Sequence, residues 1–278
     1  MTGPRDFQVR FWGVRGSIAC PGPDTVRYGG NTACVEMRCG DRLIVLDAGT
    51  GLRPLGLDLM RRGGPVDADL LISHTHFDHI CGLPFFVPFF VPGNRIRLRA
   101  GHLTPPMTLR RVIVEMMMAP LFPVPPDIFR ADVGYEDFRV GATLDLGDGI
   151  RVRTQPLNHP NDATAFRIEY AGRAACYVTD TEHTENSPDP GLVDFVRGAD
   201  LVIYDSAYTD AEFPRFRGFG HSTWEEGVRI AAAAEVKTLA IFHHDPSHDD
   251  AFMDGVAEAA RAACAGTLVA REGMILQL

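Results

Sequence analysis

At 278 residues, 45% of them hydrophobic and 23% charged, the chain is long enough to bury a substantial core and has a globular rather than a disordered composition. Its net charge of −9 argues against a sequence-independent grip on long nucleic acid, which needs many Lys and Arg against phosphates; a small anionic substrate held by a local cluster stays open. The opening Met1-Thr2-Gly3-Pro4-Arg5-Asp6 has no apolar signal core. The most apolar stretch, Leu83 to Val91, is short and broken by Pro84 and Pro88, so no membrane span and a cytoplasmic location are expected. Six cysteines lie scattered without a CxxC pair, which fits reduced thiols better than a disulfide frame, and Cys81 is read as packing. No linker or internal repeat is visible, so residues 1–278 are read as a single domain.

In chain order, Gln8 to Trp12 reads as an opening strand, followed by a loop holding Arg15 and a Pro/Gly segment holding Asn31; both side chains are candidates to reach a substrate. Cys34 to Met37 and Leu43 to Leu46 are the next strands. Asp47-Ala48-Gly49-Thr50-Gly51 breaks the second and opens a helix, with Asp47 able to cap it. Asp69 to Ile72 is a short buried-type strand and Ile96 to Ala100 another. Leu109, Val112, Ile113, Met116 and Met117 follow the spacing of an amphipathic helix. That helix runs into a Met/Phe/Pro-rich loop, and the whole 107–126 segment is either core packing or an apolar lid. From Tyr135 to Tyr177 the pattern is β-rich, with strands at Phe138 to Val140, Ile150 to Pro156, Thr164 to Tyr170 and Ala174 to Val178. Helices are predicted near Gly191 to Arg197, Glu225 to Glu235 and Asp249 to Cys264. Between and after them come strands at Leu201 to Tyr204, Thr238 to Phe242, Leu268 to Ala270 and Met274 to Leu276. Strands early and alternating helices late in each half suit sheets covered by outer helices.

One stretch concentrates the chemistry. Ser73-His74-Thr75-His76-Phe77-Asp78-His79 puts three His and an Asp into six residues directly after an apolar strand. In extended chain His74 and His76 share a face and can point at one ion. Asp78, a good N-cap residue, predicts a turn into a helix that aims Asp78 and His79 elsewhere, toward a second ion. Imidazole with carboxylate oxygen suits zinc best, with manganese or iron as alternatives. Further on, Ser222 with Glu225 forms a capping box, so a helix starts there with His221 just outside its positive end, a place for an anion and a proton donor.

His74-Thr75-His76-Phe77-Asp78-His79 resembles the HxHxDH signature of the metallo-β-lactamase superfamily. Leu157-Asn158-His159-Pro160, Tyr177-Val178-Thr179-Asp180-Thr181 and Ile241-Phe242-His243-His244-Asp245 resemble its later motifs, in order and over most of the chain. The resemblance implies an α/β fold, a four-layer αβ/βα sandwich with metals where strand-end loops meet. It implies one metal on His74, His76 and His159, a second on Asp78, His79 and His243, and Asp180 on both. It also implies that Asp47 orients a ligand His, that His221 is a proton donor and that Asp205 is its acidic partner. His244, Asp245 and His248 are expected around the last ligand.

Two divalent ions roughly 3.5–4 Å apart acidify a water and stabilise a phosphoryl centre attacked in line. Asp78 and Asp180 can take the water's proton, and His221 can protonate the leaving oxygen. Within the superfamily the chain resembles the cyclic phosphodiesterases, including phosphoribosyl cyclic phosphate hydrolases, which implies a small cyclic nucleotide or cyclic sugar phosphate as substrate. Ribonuclease Z-like cleavage of nucleic-acid ends is the alternative, but the basic, Gly-rich arm such enzymes carry between the third His and the bridging Asp is not visible here. Lactone or other ester hydrolysis uses the same frame. No stable nucleic-acid partner and no membrane are expected, and the dimers common among related enzymes admit a homodimer.

Overall fold

The computed structural model of the chain describes residues 6–184 and 188–278. Among these residues fourteen strands form two seven-stranded sheets. The first is built from β1 (Phe7–Gly13), β2 (Cys34–Cys39), β3 (Arg42–Leu46), β4 (Asp67–Ile72), β5 (Arg95–Ala100) and β6 (Asp132–Asp137). The second is built from β7 (Thr143–Gly147), β8 (Ile150–Leu157), β9 (Ala163–Tyr170), β10 (Arg173–Val178), β11 (Leu201–Asp205), β12 (Leu239–Phe242) and β13 (Thr267–Val269). The last strand, β14 (Ile275–Gln277), returns to pair antiparallel with β1, so the first sheet runs β14-β1-β2-β3-β4-β5-β6 and the second β13-β12-β11-β10-β9-β8-β7.

Helices α1 (Leu52–Arg62), α2 (Phe77–Ile80) and α3 (Leu109–Met116) belong to the first half, and α4 (Pro190–Val196), α5 (Trp224–Ala233) and α6 (Asp250–Ala263) to the second. Each half pairs four strands in parallel succession, β3 to β6 and β10 to β13. Parallel neighbours need crossovers, and the helices supply them. The crossovers cover the outer faces, which is why β3, β4, β11 and β12 are buried almost throughout while β8, beyond the helices, alternates buried with exposed. One core lies between the sheets, where Phe7, Phe11 and Ile44 meet Phe166, Tyr177, Ile203 and Phe242. A second joins the first sheet to Leu52, Leu55 and Leu59 of α1 and Leu109 and Ile113 of α3; a third joins the second sheet to α4 and α5. The expected four layers, helix, sheet, sheet, helix, are therefore present.

Strand direction decides where function can sit. β8 is antiparallel to β9 and β9 to β10, so β8 runs the same way as β10 to β13. By the same double reversal β1 runs the same way as β3 and β4. The loops after β1, β3, β4, β8, β10, β11 and β12 thus leave the carboxyl ends of co-directional strands, the usual location for a ligand site in open α/β sheets.

Three sequence expectations are corrected. The strand at Phe138 to Val140 is displaced: β6 ends at Asp137, and Phe138 instead lies against Gly101 and packs on Phe166. β7 was not anticipated; it is an exposed strand beyond the last helix-covered ones, where alternation is weak. The cap of α5 is Thr223, whose side chain accepts from the Glu226 N–H, not Ser222 with Glu225. In the 107–126 segment Leu109, Ile113 and Met117 are buried in the outer-face core, Phe122 stands edge-on to Phe85, and Met118 and Leu121 are exposed, which favours packing over a lid. No helix among the described residues is long and apolar enough to cross a membrane.

The first sheet also buries a charge. Asp69 of β4 is fully inaccessible and takes hydrogen bonds from Arg42 and Arg97, both at 2.8 Å, and from Arg99; Arg42 also reaches the Leu146 carbonyl of the second sheet at 3.0 Å. Burial pushes the Asp69 carboxyl up, but the guanidinium groups outweigh it and hold it below the usual carboxylate range. Asp69→Ala should lower stability by about 2 kcal/mol in urea unfolding at neutral pH, because it removes the buried carboxylate that three part-buried guanidinium groups share. Since the folded-state pKa is depressed, that contribution is present above the ordinary carboxylate value of 3.8 and fades below it, so the two proteins should converge in acid.

Candidate metal centre

β4 ends at Ile72, the chain bends at Ser73, and His76, extended at φ −63° and ψ 153°, caps α2 without a side-chain cap hydrogen bond. The cap is therefore His76 rather than Asp78, and Asp78 and His79 lie in the helix's single turn. The divergence expected of the two pairs is present: His74 and His76 face His159, which follows β8, while Asp78 and His79 face His243, which follows β12.

The separations fit metal ligation. His159 Nε2 lies 3.0 Å from His76 Nδ1 and 3.7 Å from Asp180 Oδ1, and His74 Nε2 is also 3.7 Å from Asp180 Oδ1. On the other side His79 Nε2 is 3.1 Å from Asp78 Oδ2, 3.2 Å from His243 Nε2 and 3.2 Å from Asp180 Oδ2, and His243 Nε2 is 3.3 Å from that same oxygen. Four donors held tetrahedrally at roughly 2.0–2.1 Å from a zinc ion stand about 3.3–3.4 Å apart, close to these values. Asp180 turns Oδ1 to one set and Oδ2 to the other. His74 Nε2 is buried without a hydrogen-bond partner, the state in which a ligand nitrogen waits for a cation.

Charge points the same way. Asp47, Asp78 and Asp180 are all buried, and among the described residues their ion-pair partners are histidines, with no Lys or Arg. Burial pushes Asp78 and Asp180 up, yet the surrounding imidazoles hold both well below the usual carboxylate range. Conversely, burial pushes His79 down, but Asp180, Asp78 and Asp47 carry it well above its ordinary value. Three desolvated carboxylates sharing imidazoles form a site whose remaining demand is for cations.

The surrounding residues fix the donors. Asp47 accepts from His79 Nδ1 at 2.7 Å, from the Ser73 N–H and hydroxyl at 2.7 and 2.8 Å, and from the Tyr177 hydroxyl at 2.8 Å. Asp47 therefore holds the His79 ring rather than capping α1, whose N-cap is Gly51. The Gly220 carbonyl accepts from His159 Nδ1 at 2.8 Å, and Asp78 Oδ2 accepts from the Ser17 N–H at 2.8 Å. Asp47, Asp180 and His243 have positive φ, 57°, 55° and 63°, so three strand-end residues hold a backbone conformation non-glycine residues seldom adopt.

His221 stands over the centre, its ring 5.3 Å from that of His159 and 4.9 Å from that of His243. Its Nδ1 is 3.0 Å from Asp205 Oδ2, while Asp205 also accepts from the Thr181 N–H at 3.0 Å and the Ala207 N–H at 3.2 Å. Burial pushes the His221 imidazole down, but Asp205 first, then Asp180 and Asp78, push it up to about 9.

The anion site expected at the start of α5 is not open, since the Trp224 N–H donates to the Tyr208 carbonyl and the Glu226 N–H to Thr223. Arg15 and Asn31, expected to be free in loops, are instead engaged within the chain. Arg15 is fully buried and donates to the carbonyls of Gly29, Asp245 and His248, which clamps the loop after His243; Asn31 binds Glu272. His244 is buried with Nε2 bonded to the Ala270 carbonyl, Asp245 caps Ser247, and His248 pairs with Glu212, so these residues shape the loop and reach no donor of the centre. Sequence reasoning missed Ser73, Tyr177, Ser17 and Gly220, whose contacts join distant segments. Only Ser73, placed between strand and first histidine, offered a local signal.

The profile of the beta-lactamase superfamily domain matches residues 42–244. Ribonuclease Z of Haloferax volcanii is 26% identical over 281 residues, covering 85% of this chain and 84% of its own. The metallo-beta-lactamase fold protein YhfI of Bacillus subtilis superposes with a TM-score of 0.73 at 17% identity, over 99% of this chain and 100% of its own. A diphosphatase of the PhnP family superposes with a TM-score of 0.71 at 20% identity, over 98% and 97%.

Gly16 packs on His243 so closely that a Cβ there would stand 2.4 Å from Cε1 and Nδ1 of the ring. Gly16→Ala should therefore displace His243 and lower the metal content, read by elemental analysis after dialysis, from two ions per chain to one. Two retained ions would remove His243 from the centre.

Proposed function

The chain is a metal-dependent hydrolase of the metallo-β-lactamase superfamily, and from that premise we propose that it hydrolyses a small phosphodiester such as a cyclic nucleotide or cyclic sugar phosphate, with zinc in both positions. The observation that carries this reading is the His221–Asp205 pair. Its histidine groups with His159 and Asp180 on one side and with His243 on the other, and leans over both with Nδ1 held by a carboxylate at 3.0 Å. A phosphodiester expels an alkoxide, and a protonated imidazole beside the reacting phosphorus is the group that reaction needs.

Two bound divalent ions would supply Lewis-acid chemistry, polarising the phosphoryl oxygens and making a water acidic enough to attack at neutral pH. His74, His76 and His159 would hold one ion, Asp78, His79 and His243 the other, with Asp180 shared. Asp47 keeps the His79 Nδ1 proton in place at 2.7 Å, so that Nε2 presents its lone pair. Asp78, steadied by the Ser17 N–H, takes the proton of the attacking water. Asp205 keeps the Nδ1 proton of His221 in place and leaves Nε2 to deliver a proton to the leaving oxygen. The free cysteines fit a reducing compartment, and we place the enzyme in the cytoplasm.

Cleavage of nucleic-acid ends is the second reading, favoured by relatives named ribonuclease Z. Against it, the span from His159 to Asp180 holds only a loop and the β9–β10 hairpin, turned at Ala171 and Gly172, with no inserted arm. A panel of bis-p-nitrophenyl phosphate, cyclic phosphates, a transfer-RNA precursor and lactones separates the readings. Turnover of cyclic phosphates is expected, and turnover of lactones alone would sink the proposal. His221→Ala should slow phosphodiester cleavage by roughly 10²–10⁴ with both metals retained. An unchanged rate would leave His221 without a role.

A further inference from the structure

We propose that Glu182 is the positioning residue that sets both a metal ligand and the proton donor, through one carboxylate oxygen. The proposal rests on the reading of His159 as a ligand and His221 as the acid. Glu182 lies two residues beyond Asp180 and touches neither the metal donors nor the Asp205 pair. Its Oε2 accepts from the Gly218 N–H at 2.7 Å and the Gly220 N–H at 2.9 Å. Its backbone meanwhile is locked to the His159 loop, with the Glu182 N–H donating to the Asn158 carbonyl at 2.8 Å and Asn158 Nδ2 donating to the Glu182 carbonyl at 2.8 Å. Glu182 therefore joins three loops of the centre: the one after β8, the one after β10 and the one before α5.

Gly220 is where this arrangement acts. Its carbonyl takes the proton of His159 Nδ1 at 2.8 Å, which fixes that tautomer and leaves the Nε2 lone pair toward His76 and Asp180. Gly220 has φ of 85°, and a Cβ on it would stand 2.3 Å from His159 Nδ1 and 2.4 Å from Pro160 Cδ, so only glycine approaches the ring this closely. The next residue is His221. A peptide held at its N–H by Glu182 thus sets the height of His159 on one side and the place of His221 on the other. Glu182 has no Lys or Arg ion pair among the described residues, and its Oε2 serves as the acceptor of these two N–H groups.

The test uses the full chain loaded with zinc and titrated with a chelator, read as ions retained per chain, together with the Nδ1–H proton resonances of the histidines. The wild type should hold two ions. Glu182→Ala should lose one of them at roughly tenfold to hundredfold lower chelator concentration and shift the His159 Nδ1–H resonance, while the second ion stays. Glu182→Gln keeps an acceptor oxygen at the same reach and should restore both. Glu182→Asp withdraws the carboxylate by one methylene and should resemble Glu182→Ala, which keeps the test open should the alanine variant fail to fold. Equal retention of both ions in wild type, Glu182→Ala and Glu182→Asp would overturn the proposal, as would a Glu182→Gln variant as weak as alanine. A wild type that holds no ion would instead overturn the underlying reading of the site.

Discussion

Three buried carboxylates without a lysine or arginine among their ion-pair partners are the constraint from which the rest of this centre follows. Asp47, Asp78 and Asp180 have been taken out of water into a ring of imidazoles. Elsewhere the chain buries a carboxylate conventionally: Asp69 is matched by Arg42, Arg97 and Arg99. The contrast within one chain separates a structural charge, neutralised by the chain's own guanidinium groups, from charges left for something outside the chain. Imidazole nitrogens and carboxylate oxygens at tetrahedral spacing make a pair of divalent cations the economical answer.

The fold supplies this arrangement by direction rather than by local sequence. Two antiparallel steps in each sheet bring β1 and β8 into the sense of the parallel strands, so loops from seven strands open on one edge. Positive φ at Asp47, Asp180 and His243 turns each residue inward just after its strand, a conformation the surrounding hydrogen bonds hold in place. Helices on the outer faces make the strands rigid where the donors leave them, and the inter-sheet core of Phe, Ile and Tyr side chains keeps the two edges in register. Precise donor placement is therefore a property of the two sheets together.

What was legible in the sequence was what is local or carries a strong motif. His74 to His79 announced themselves by spacing, and His159, Asp180 and His243 by their likeness to later motifs. The structure brings all seven together, along with Asp205 and His221. Strands covered by helices were legible too, because continuous apolar runs such as Leu201 to Tyr204 have little else to be. Edge strands were not: β6 carries Asp132, Glu136 and Asp137, and its polar pattern displaced the expected strand toward Phe138. Ser222 and Thr223 are adjacent and both able to cap, so spacing alone could not choose between them. Arg15 reads as a loop cation in sequence because nothing nearby reveals the three carbonyls, two of them more than two hundred residues away, that bury it. Tyr177 and Asp47 meet across 130 residues of chain, and no local pattern reports such a contact.

The central claim is that the donors from these strand ends clasp two cations. Anomalous scattering at the absorption edge of the bound metal, on crystals of the purified, metal-loaded chain, tests it most directly. Two peaks roughly 3.5–4 Å apart are expected, one beside His74, His76 and His159, the other beside Asp78, His79 and His243, with Asp180 between them. A single peak, or metal bound away from Asp180, would contradict it.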